Sequence, residues 1–342
     1  MPYKISGTLS DAARIIVIKE SDWSIESNTE ESVGAYEVDS LVSGTKCVVG
    51  RKSDGEAMGY GNVGSIYYAP PEKGYVFGGY DGSNLQDTDE YDPDTWTSKS
   101  DMPSPARRNL AASTISDKGY VYGGYDGSAR LQDTDECTPD SWVSKTNMPS
   151  PGRMILPAST ILDKGYVYGG WDGSYLQDTD EYDPDSWTNK TNIPSPSRRS
   201  HAASTILDRG YIFGGYDGGY ILDTDEYSPN SWASKINMPA PSRRKFYATT
   251  ILDKGYVFGG DSGSFLTDTD EYSPNSWASK TNMPGPARYE LSASTISDKG
   301  YVYGGWDGVD YLQDTDEYNP DTWTSKSDMP SPGRRQTAAS TI

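Results

Sequence analysis

The feature that most constrains the fold is a segment that recurs six times at intervals of 45 or 46 residues. Each copy contains the string G-Y-(V/I)-(F/Y)-G-G and continues with D-G-S or a close variant of it, D-T-D-E, a turn, a tryptophan, M-P-x-P in all copies but one, and an arginine. Its last glycine falls at Gly79, Gly124, Gly170, Gly215, Gly260 and Gly305. Because copies this similar must build the same unit, the chain is predicted to be a repeat protein.

Each copy contains four short strand signals. In the second copy they cover Ala111–Ile115, 120–122, 133–137 and 142–148, and Gly- and Pro-containing turns separate them. Only 34% of residues are hydrophobic, whereas 27 are Tyr and 36 are Gly, a composition that suits short twisted antiparallel strands. No window has a helical period. Six such units predict a β-propeller with four-stranded blades.

The motifs resemble those of the kelch family. The resemblance rests on the double glycine that ends the second strand, the tyrosine of the third strand, the tryptophan that opens the fourth, and the arginine before the first. It covers residues 65–342. It implies an all-β, six-bladed kelch-type propeller around a central channel, with the first strand of each blade innermost.

The end of the chain predicts how the ring closes. Residues 338–342 repeat the first strand once more, with no second, third or fourth strand after it. Since an unpaired edge strand promotes aggregation, we expect this segment to become the inner strand of the first blade, whose other strands lie within 75–102. The alternative is that residues 65–69 supply the inner strand.

Residues 1–64 do not repeat and are predicted to form a separate domain. Polar turns divide them into six or seven strand-like segments, which predicts a small β-sandwich. They resemble carboxypeptidase-regulatory-like and transthyretin-like modules through Gly34, Tyr36, Val38, Leu41, Gly44 and Lys46. The resemblance implies no chemistry, so this domain is expected to anchor the protein to a larger assembly or to act as a spacer.

The copies differ mainly in two places, which predict a binding face. One is the triple of residues after the fixed arginine, and the other is the loop after the double glycine. Antiparallel strands bring both places to the same face, and the opposite face carries nearly constant D-K-G and P-D-(S/T) turns. Loop drift without any ligand is the alternative. The predicted ligand-binding face comprises Arg108, Asn109, Met154, Arg199, Ser200, His201, Arg244, Lys245, Phe246, Tyr289, Glu290, Arg335, Gln336, Tyr80, Tyr125, Trp171, Tyr216, Trp306, Tyr175, Tyr220, Phe265 and Tyr311.

Charge and residue inventory exclude several functions. A net charge of −20 opposes binding to nucleic acid, and the absence of any long apolar run opposes membrane insertion. One histidine and two cysteines leave little material for catalytic or metal sites, so no enzyme activity and no cofactor are predicted. The D-T-D-E acids are expected to be solvated charges at blade edges, although Asp87 and Asp89 share a strand face that could hold Ca²⁺.

Other single residues have structural interpretations. The repeated tryptophans are expected to pack between blades. The fixed arginine is expected to donate to carbonyls of a neighbouring blade, with ligand contact as the alternative. His201 lies in a variable triple and is expected on the face, whereas Cys137 and Cys47 are expected to be buried.

These observations predict a non-catalytic recognition or structural protein whose propeller face binds a surface glycan or protein. The acidic composition, the near-identical repeats and the anchor-plus-head layout without a secretion signal favour a phage or virus-like virion, as a decoration or receptor-binding protein at an extracellular surface. The alternative is a cytoplasmic kelch scaffold that binds protein or peptide partners.

Overall fold

The computed structural model describes residues 72–228 and 230–342, together with the backbone of five strands nearer the N-terminus. The chain divides into two units, Met1–Glu72 and Lys73–Ile342. The strands of the first unit are β1 (Ile5–Leu9), β2 (Ala13–Lys19), β3 (Ile25–Glu31), β4 (Gly34–Val38) and β5 (Thr45–Val49).

In the first unit, β1 pairs with β4, and β2 lies between β3 and β5 in a three-stranded antiparallel sheet. Cys47 lies in β5. The packing of the two sheets, and with it the predicted sandwich and the predicted burial of Cys47, lies outside the described residues.

The second unit consists of short antiparallel strands, and its described residues contain no helix. The strands are β6 (Gly74–Tyr80), β7 (Asn84–Asp92), β8 (Thr95–Ser98), β9 (Ala111–Ile115), β10 (Lys118–Tyr122), β11 (Thr134–Thr138), β12 (Ser141–Ser144), β13 (Ala158–Ile161), β14 (Lys164–Tyr168), β15 (Thr179–Asp183), β16 (Ser186–Asn189), β17 (Ala202–Ile206), β18 (Arg209–Tyr216), β19 (Tyr220–Ser228), β20 (Ser231–Ser234), β21 (Tyr247–Ile251), β22 (Lys254–Phe258), β23 (Thr269–Ser273), β24 (Ser276–Ser279), β25 (Ser292–Ile296), β26 (Lys299–Tyr303), β27 (Thr315–Asn319), β28 (Thr322–Ser325) and β29 (Ala338–Thr341).

These strands form six four-stranded sheets, so the predicted six-bladed propeller is confirmed. Blade 1 has the order β29-β6-β7-β8, and blades 2 to 6 each use four consecutive strands, from β9–β12 to β25–β28. The C-terminal strand pairs with β6 through Ala338↔Phe77 and Thr341↔Gly74. The first strands of neighbouring blades contact one another in a closed circle, which makes them innermost.

The repeated tryptophans join each blade to the one before it. Trp96 packs edge-on against Tyr303 of blade 6, with ring centroids 5.4 Å apart, and its indole nitrogen donates to the carbonyl of Ser327 at 2.9 Å. The corresponding indole bond occurs in every blade. This confirms that the tryptophans serve blade packing.

A circle of hydrogen bonds also holds the inner strands together. The Thr114 hydroxyl donates to the carbonyl of Thr341 in blade 1, and each later blade repeats the bond to the blade before it. Thr341 closes the circle by donating to Thr295 of blade 6. Since the donor is a side chain of a strand already paired within its blade, the bond adds a contact between blades at no cost to the sheet.

The second aspartate and the glutamate of D-T-D-E are buried, whereas the first aspartate is partly exposed, so the predicted place of these acids as solvated edge charges is wrong for two of the three. The carboxylate of Asp135 accepts a hydrogen bond from the buried guanidinium of Arg107, and every blade repeats this pair. The fixed arginine is therefore structural, but its main acceptor is a carboxylate of its own blade rather than a neighbour's carbonyl. Asp87 and Asp89 do share a face, and both contact the guanidinium of Arg334.

The glutamate of the same motif has three partners. Glu136 accepts from Lys118 at 2.7 Å and from the hydroxyl of Tyr120 at 2.7 Å, and it pairs with Lys145 at 3.1 Å. Burial opposes ionisation, but these bonds outweigh it and lower the pKa of Glu136 to about 2.

Cys137, where the other blades have tyrosine, is a buried free thiol as predicted, and burial raises its pKa to about 12.

Candidate binding face

The predicted face is organised around a circle of backbone hydrogen bonds. The middle residue of each variable triple donates its N–H to the carbonyl of the middle residue in the preceding blade, at 2.8–3.2 Å. All six have φ between +55° and +58°, a left-handed conformation that turns both backbone groups along the circle. These residues are Asn109, Ile155, Ser200, Lys245, Glu290 and Gln336.

The first residue of each triple lies beside the residue that follows the double glycine in its own blade. Backbone bridges join them, for example Arg108 with Tyr125 and Arg199 with Tyr216. The side chain then extends over an aromatic ring of the preceding blade, as when the Arg108 guanidinium lies 4.4 Å from the centroid of Tyr80. Each contact therefore spans a blade boundary.

One continuous array of such contacts crosses blades 3, 4 and 5. The Arg199 guanidinium lies 4.4 Å from the ring centroid of Trp171, 5.6 Å from that of Tyr175 and 5.9 Å from that of Tyr216. Arg244 continues the array at 4.6 Å from Tyr216. We call this set the first strip; its members are Trp171, Tyr175, Arg199, Tyr216, Tyr220 and Arg244.

A second array crosses blades 6, 1 and 2. The Arg335 guanidinium lies 5.0 Å from the ring centroid of Trp306 and 5.5 Å from that of Tyr311. Arg108 continues it over Tyr80 and Tyr125. We call this set the second strip; its members are Trp306, Tyr311, Arg335, Tyr80, Arg108 and Tyr125.

The face arginines differ in their ion pairs. Arg244 Nε donates to Asp261 at 3.0 Å; burial opposes the charged form, yet this bond raises the pKa of Arg244. Arg335 lies 3.2 Å from Glu290. Within residues 72–228 and 230–342, no carboxylate pairs with Arg199, and its Nε is buried without a hydrogen-bond partner. The Arg108 guanidinium likewise has no carboxylate partner among the described residues and donates to the neutral amide oxygen of Asn84.

Where the strips end, other residues take the place of arginine. Met154 holds the first position of its triple in blade 3. Between blades 5 and 6, Tyr289 packs on Phe265 with centroids 4.7 Å apart, and the Lys245 ammonium lies 4.9 Å from the Tyr289 ring. The strips are thus separate, and within each strip arginines alternate with aromatic rings.

Of the predicted face residues, Ser200, His201, Phe246 and Glu290 are buried, and for His201 and Phe246 the cause is packing between blades. His201 is 4% exposed, and its ring approaches Gly169 of blade 3, where Ile193 replaces the methionine of the other blades. Phe246 is also 4% exposed and packs with Phe213 and Met238. Burial, together with the nearby charge of Arg198, lowers the pKa of His201 well below 6.5. Both residues fill space between blades, which corrects their assignment to the exposed face.

Several predicted residues of the hydrogen-bonded circle line a cavity to which all six blades contribute. Asn109, Ser200 and Gln336 line a cavity of about 80 Å³ behind the hydrogen-bonded circle. Sequence reasoning missed Tyr247, which also lines it and bonds to the backbone of Ala339, two blades away; burial raises its pKa to about 12. The sequence could have indicated this residue by its side-chain size, because the other copies have Ala, Pro or Ser at the equivalent position.

The opposite face varies less than the candidate binding face but is not uniform. The turn between the first and second strands contains the D-K-G motif or a close variant of it. The residue before its aspartate is serine in two blades (Ser116 and Ser297) and leucine in three others (Leu162, Leu207 and Leu252). These leucines are largely exposed. Variation alone is therefore weaker evidence for a binding face than the contacts of Arg199.

In the part of the chain that the structure describes, no three His, Cys, Asp or Glu side chains are grouped so that they could hold a metal ion. Among those residues there is also no helix long and apolar enough to cross a membrane.

Comparisons with known proteins agree with this architecture. A family model described as the KLHDC2/KLHL20/DRC7 Kelch-repeats domain matches residues 60–215. A solved structure titled "Structure of YjhT" is similar with a TM-score of 0.62 at 15% identity, covering 76% of this chain and 98% of that one. No curated protein matches the sequence. The second unit is thus a six-bladed β-propeller, and the chain is similar over residues 60–215 to kelch-repeat domains.

Proposed function

We propose that the propeller is a non-catalytic binding module that recognises an acidic segment of a partner protein through its variable face. The observation that carries this proposal is Arg199. Its guanidinium is held against three aromatic rings, and no carboxylate among the described residues neutralises it. A charge fixed in this way is prepared to bind an anion.

The stacking geometry favours a carboxylate ligand over a neutral sugar. Sugars bind aromatic side chains by lying on the ring face. In the first strip, guanidinium groups already lie over Trp171 and Tyr216. A guanidinium that stacks through its plane keeps N–H donors at its edge, and these match the two oxygens of a carboxylate.

Charge complementarity supports the same ligand class. The whole chain carries −20, yet the variable triples contribute Arg108, Arg199, Arg244, Lys245 and Arg335. The acids close to them are Asp261 and Glu290, which pair with three of these cations. The triples are therefore locally basic, although the loops after the double glycine carry aspartates such as Asp172 and Asp217, and binding of an acidic segment to the triples should weaken as salt rises.

The test is a titration of the full chain with a hexaglutamate peptide, with hexaglutamine as the neutral control. We expect hexaglutamate alone to bind, and Arg199→Ala to weaken it about tenfold, corresponding to roughly 1.4 kcal/mol. Met154→Ala is the matched control, because Met154 holds the same place in blade 3 without a charge. Equal binding of both peptides, or no effect of Arg199→Ala, would contradict the proposal.

The setting of this activity is a separate part of the proposal. Attachment to a larger assembly through residues 1–64, on a virion or another extracellular surface, rests on the sequence layout alone. A pull-down with residues 1–64 from a host lysate containing assembled particles tests it, and recovery of particle proteins is the expected result. In a parallel pull-down with the propeller unit, Lys73–Ile342, recovery of cytoplasmic partners would favour the scaffold alternative.

A further inference from the structure

The two strips are built alike and lie half a turn apart. Moving three blades around a six-bladed ring carries Trp171, Tyr175 and Arg199 onto Trp306, Tyr311 and Arg335. The third aromatic of each set follows the double glycine of the next blade: it is Tyr216 beside Arg199 and Tyr80 beside Arg335.

The distances agree between the two sets. Arg199 lies 4.4, 5.6 and 5.9 Å from its three ring centroids. Arg335 lies 5.0, 5.5 and 5.7 Å from the corresponding centroids. The two arginines therefore occupy equivalent aromatic sites, and a ligand that suits one has the same aromatic surroundings at the other.

The sites differ in one neighbouring side chain. Glu290, the middle residue of its triple, places Oε2 3.2 Å from Arg335 Nη1 and Oε1 2.6 Å from Lys245 Nζ. Three blades away the equivalent position is Ile155, whose backbone has the same left-handed conformation (φ +56° against +57°). Isoleucine carries no charge, so this position supplies no carboxylate to Arg199, and no other described residue does so.

We propose that the face carries two equivalent carboxylate-binding sites and that Glu290 acts as an internal ligand that closes the one at Arg335, leaving the one at Arg199 open. This inference rests on the proposed function, because it assumes that the external ligand is a carboxylate. Glu290 is 7% exposed and contacts two cations, so an acidic segment would have to displace a carboxylate that is already paired and largely removed from water.

The internal repeat supplies a matched pair of variants. Glu290→Ile gives the Arg335 site the residue found beside Arg199, and Ile155→Glu does the reverse. The probe is an acetylated triglutamate amide, too short to be shared between sites half a turn apart, and calorimetric titration of the full chain measures its stoichiometry. Arg108 and its bond to Asn84 are unchanged in every protein compared.

Relative to wild type, Glu290→Ile should bind one additional equivalent, and adding Arg335→Ala should abolish that gain. Arg335→Ala alone should change wild-type binding less than twofold. Ile155→Glu should lose one equivalent, as Arg199→Ala does. If Ile155→Glu fails to fold, Glu290→Ile and Glu290→Gln still decide the question, since both remove the internal carboxylate.

The failures can be told apart. If wild type binds and Arg199→Ala abolishes one equivalent, but Glu290→Ile adds none, this inference is overturned while the proposed function stands. A wild-type site that already depends on Arg335 also overturns it. If neither wild type nor Glu290→Ile binds the probe, both the proposed function and this inference are wrong.

Discussion

Arg198 and Arg199 are neighbours in sequence, yet they belong to two different layers of the molecule. Arg198 is 0% exposed and donates to Asp225 within its blade. Arg199 lies across a blade boundary on aromatic rings, without a carboxylate partner among the described residues. The comparison shows that one layer of arginines completes the fold, whereas the adjacent layer lies on the variable face, where we propose that Arg199 binds a ligand.

The repeats show why one layer is constant and the other is not. Every blade pairs its fixed arginine with the second aspartate of D-T-D-E, and removal of either partner would leave a buried charge. The next residue is arginine in four copies, methionine in one and tyrosine in one. All of these can cover an aromatic ring, so the face tolerates changes that the interior does not.

The largest expected effect breaks the interior layer. Arg198→Leu should destabilise the propeller by about 3–5 kcal/mol, because Asp225 would remain buried without its cation. The control is Arg199→Leu, which should cost less than about 1 kcal/mol. Urea denaturation of both variants measures the difference. Equal loss in the two would show that the layers are not distinct.

The second effect concerns acid stability in the interior. The folded-state pKa of Glu136 is lowered to about 2, below its usual value near 4.5, so its contribution to stability is present above pH 4.5 and disappears as pH falls toward 2. Glu136→Gln should therefore lower stability at pH 7 and flatten its dependence on pH between about 4.5 and 2. Thermal unfolding across that range checks this, and an unchanged profile would contradict it.

The third effect uses the buried histidine. The folded-state pKa of His201 lies well below 6.5, so as pH falls below 6.5 the unfolded chain binds a proton that the folded chain does not. Stability should fall by up to about 1.4 kcal/mol per pH unit in that window. His201→Leu, which introduces the residue of blades 2, 3 and 6, should remove this slope. Denaturation at pH 7 and 5.5 compares the two, and an identical slope would refute the assignment.

The smallest effect concerns the backbone circle that underlies the face. Ile155 adopts φ +56°, which a β-branched residue strongly disfavours. Ile155→Asn should stabilise the protein by up to about 1 kcal/mol, because asparagine tolerates this conformation. Asn109→Ile, the converse change in blade 2, should destabilise it by a similar amount. Both are measured by denaturant unfolding, and a shift of the same sign in both variants would contradict the argument.

Much of the architecture follows from sequence alone. Six copies with the same turns must give six equivalent sheets, and alternation of antiparallel strands places both variable segments on one face. The packing role of the fourth-strand tryptophan was predictable because the residue recurs in every copy. The burial of Cys137 was predictable because it takes the place of a third-strand tyrosine in the other copies.

Contacts across blade boundaries were not predictable in this way. Arg199 meets Trp171, and Arg335 meets Trp306, only because the ring brings neighbouring blades together. Arg335 also meets Tyr80, from the other end of the chain, because the C-terminal strand completes blade 1. The burial of the second aspartate of D-T-D-E depends on a cation that is distant in sequence, such as Arg334 for Asp89.

The backbone conformation of each variable triple determines which of its side chains are exposed. A left-handed middle residue turns the chain so that the third side chain enters the space between blades, which buries His201 although its neighbours are on the face. The sequence by itself determined the repeated unit, the number of blades and the face that varies. Only the tertiary structure decided which charges are neutralised there, because pairing depends on distances between residues that the chain does not place side by side.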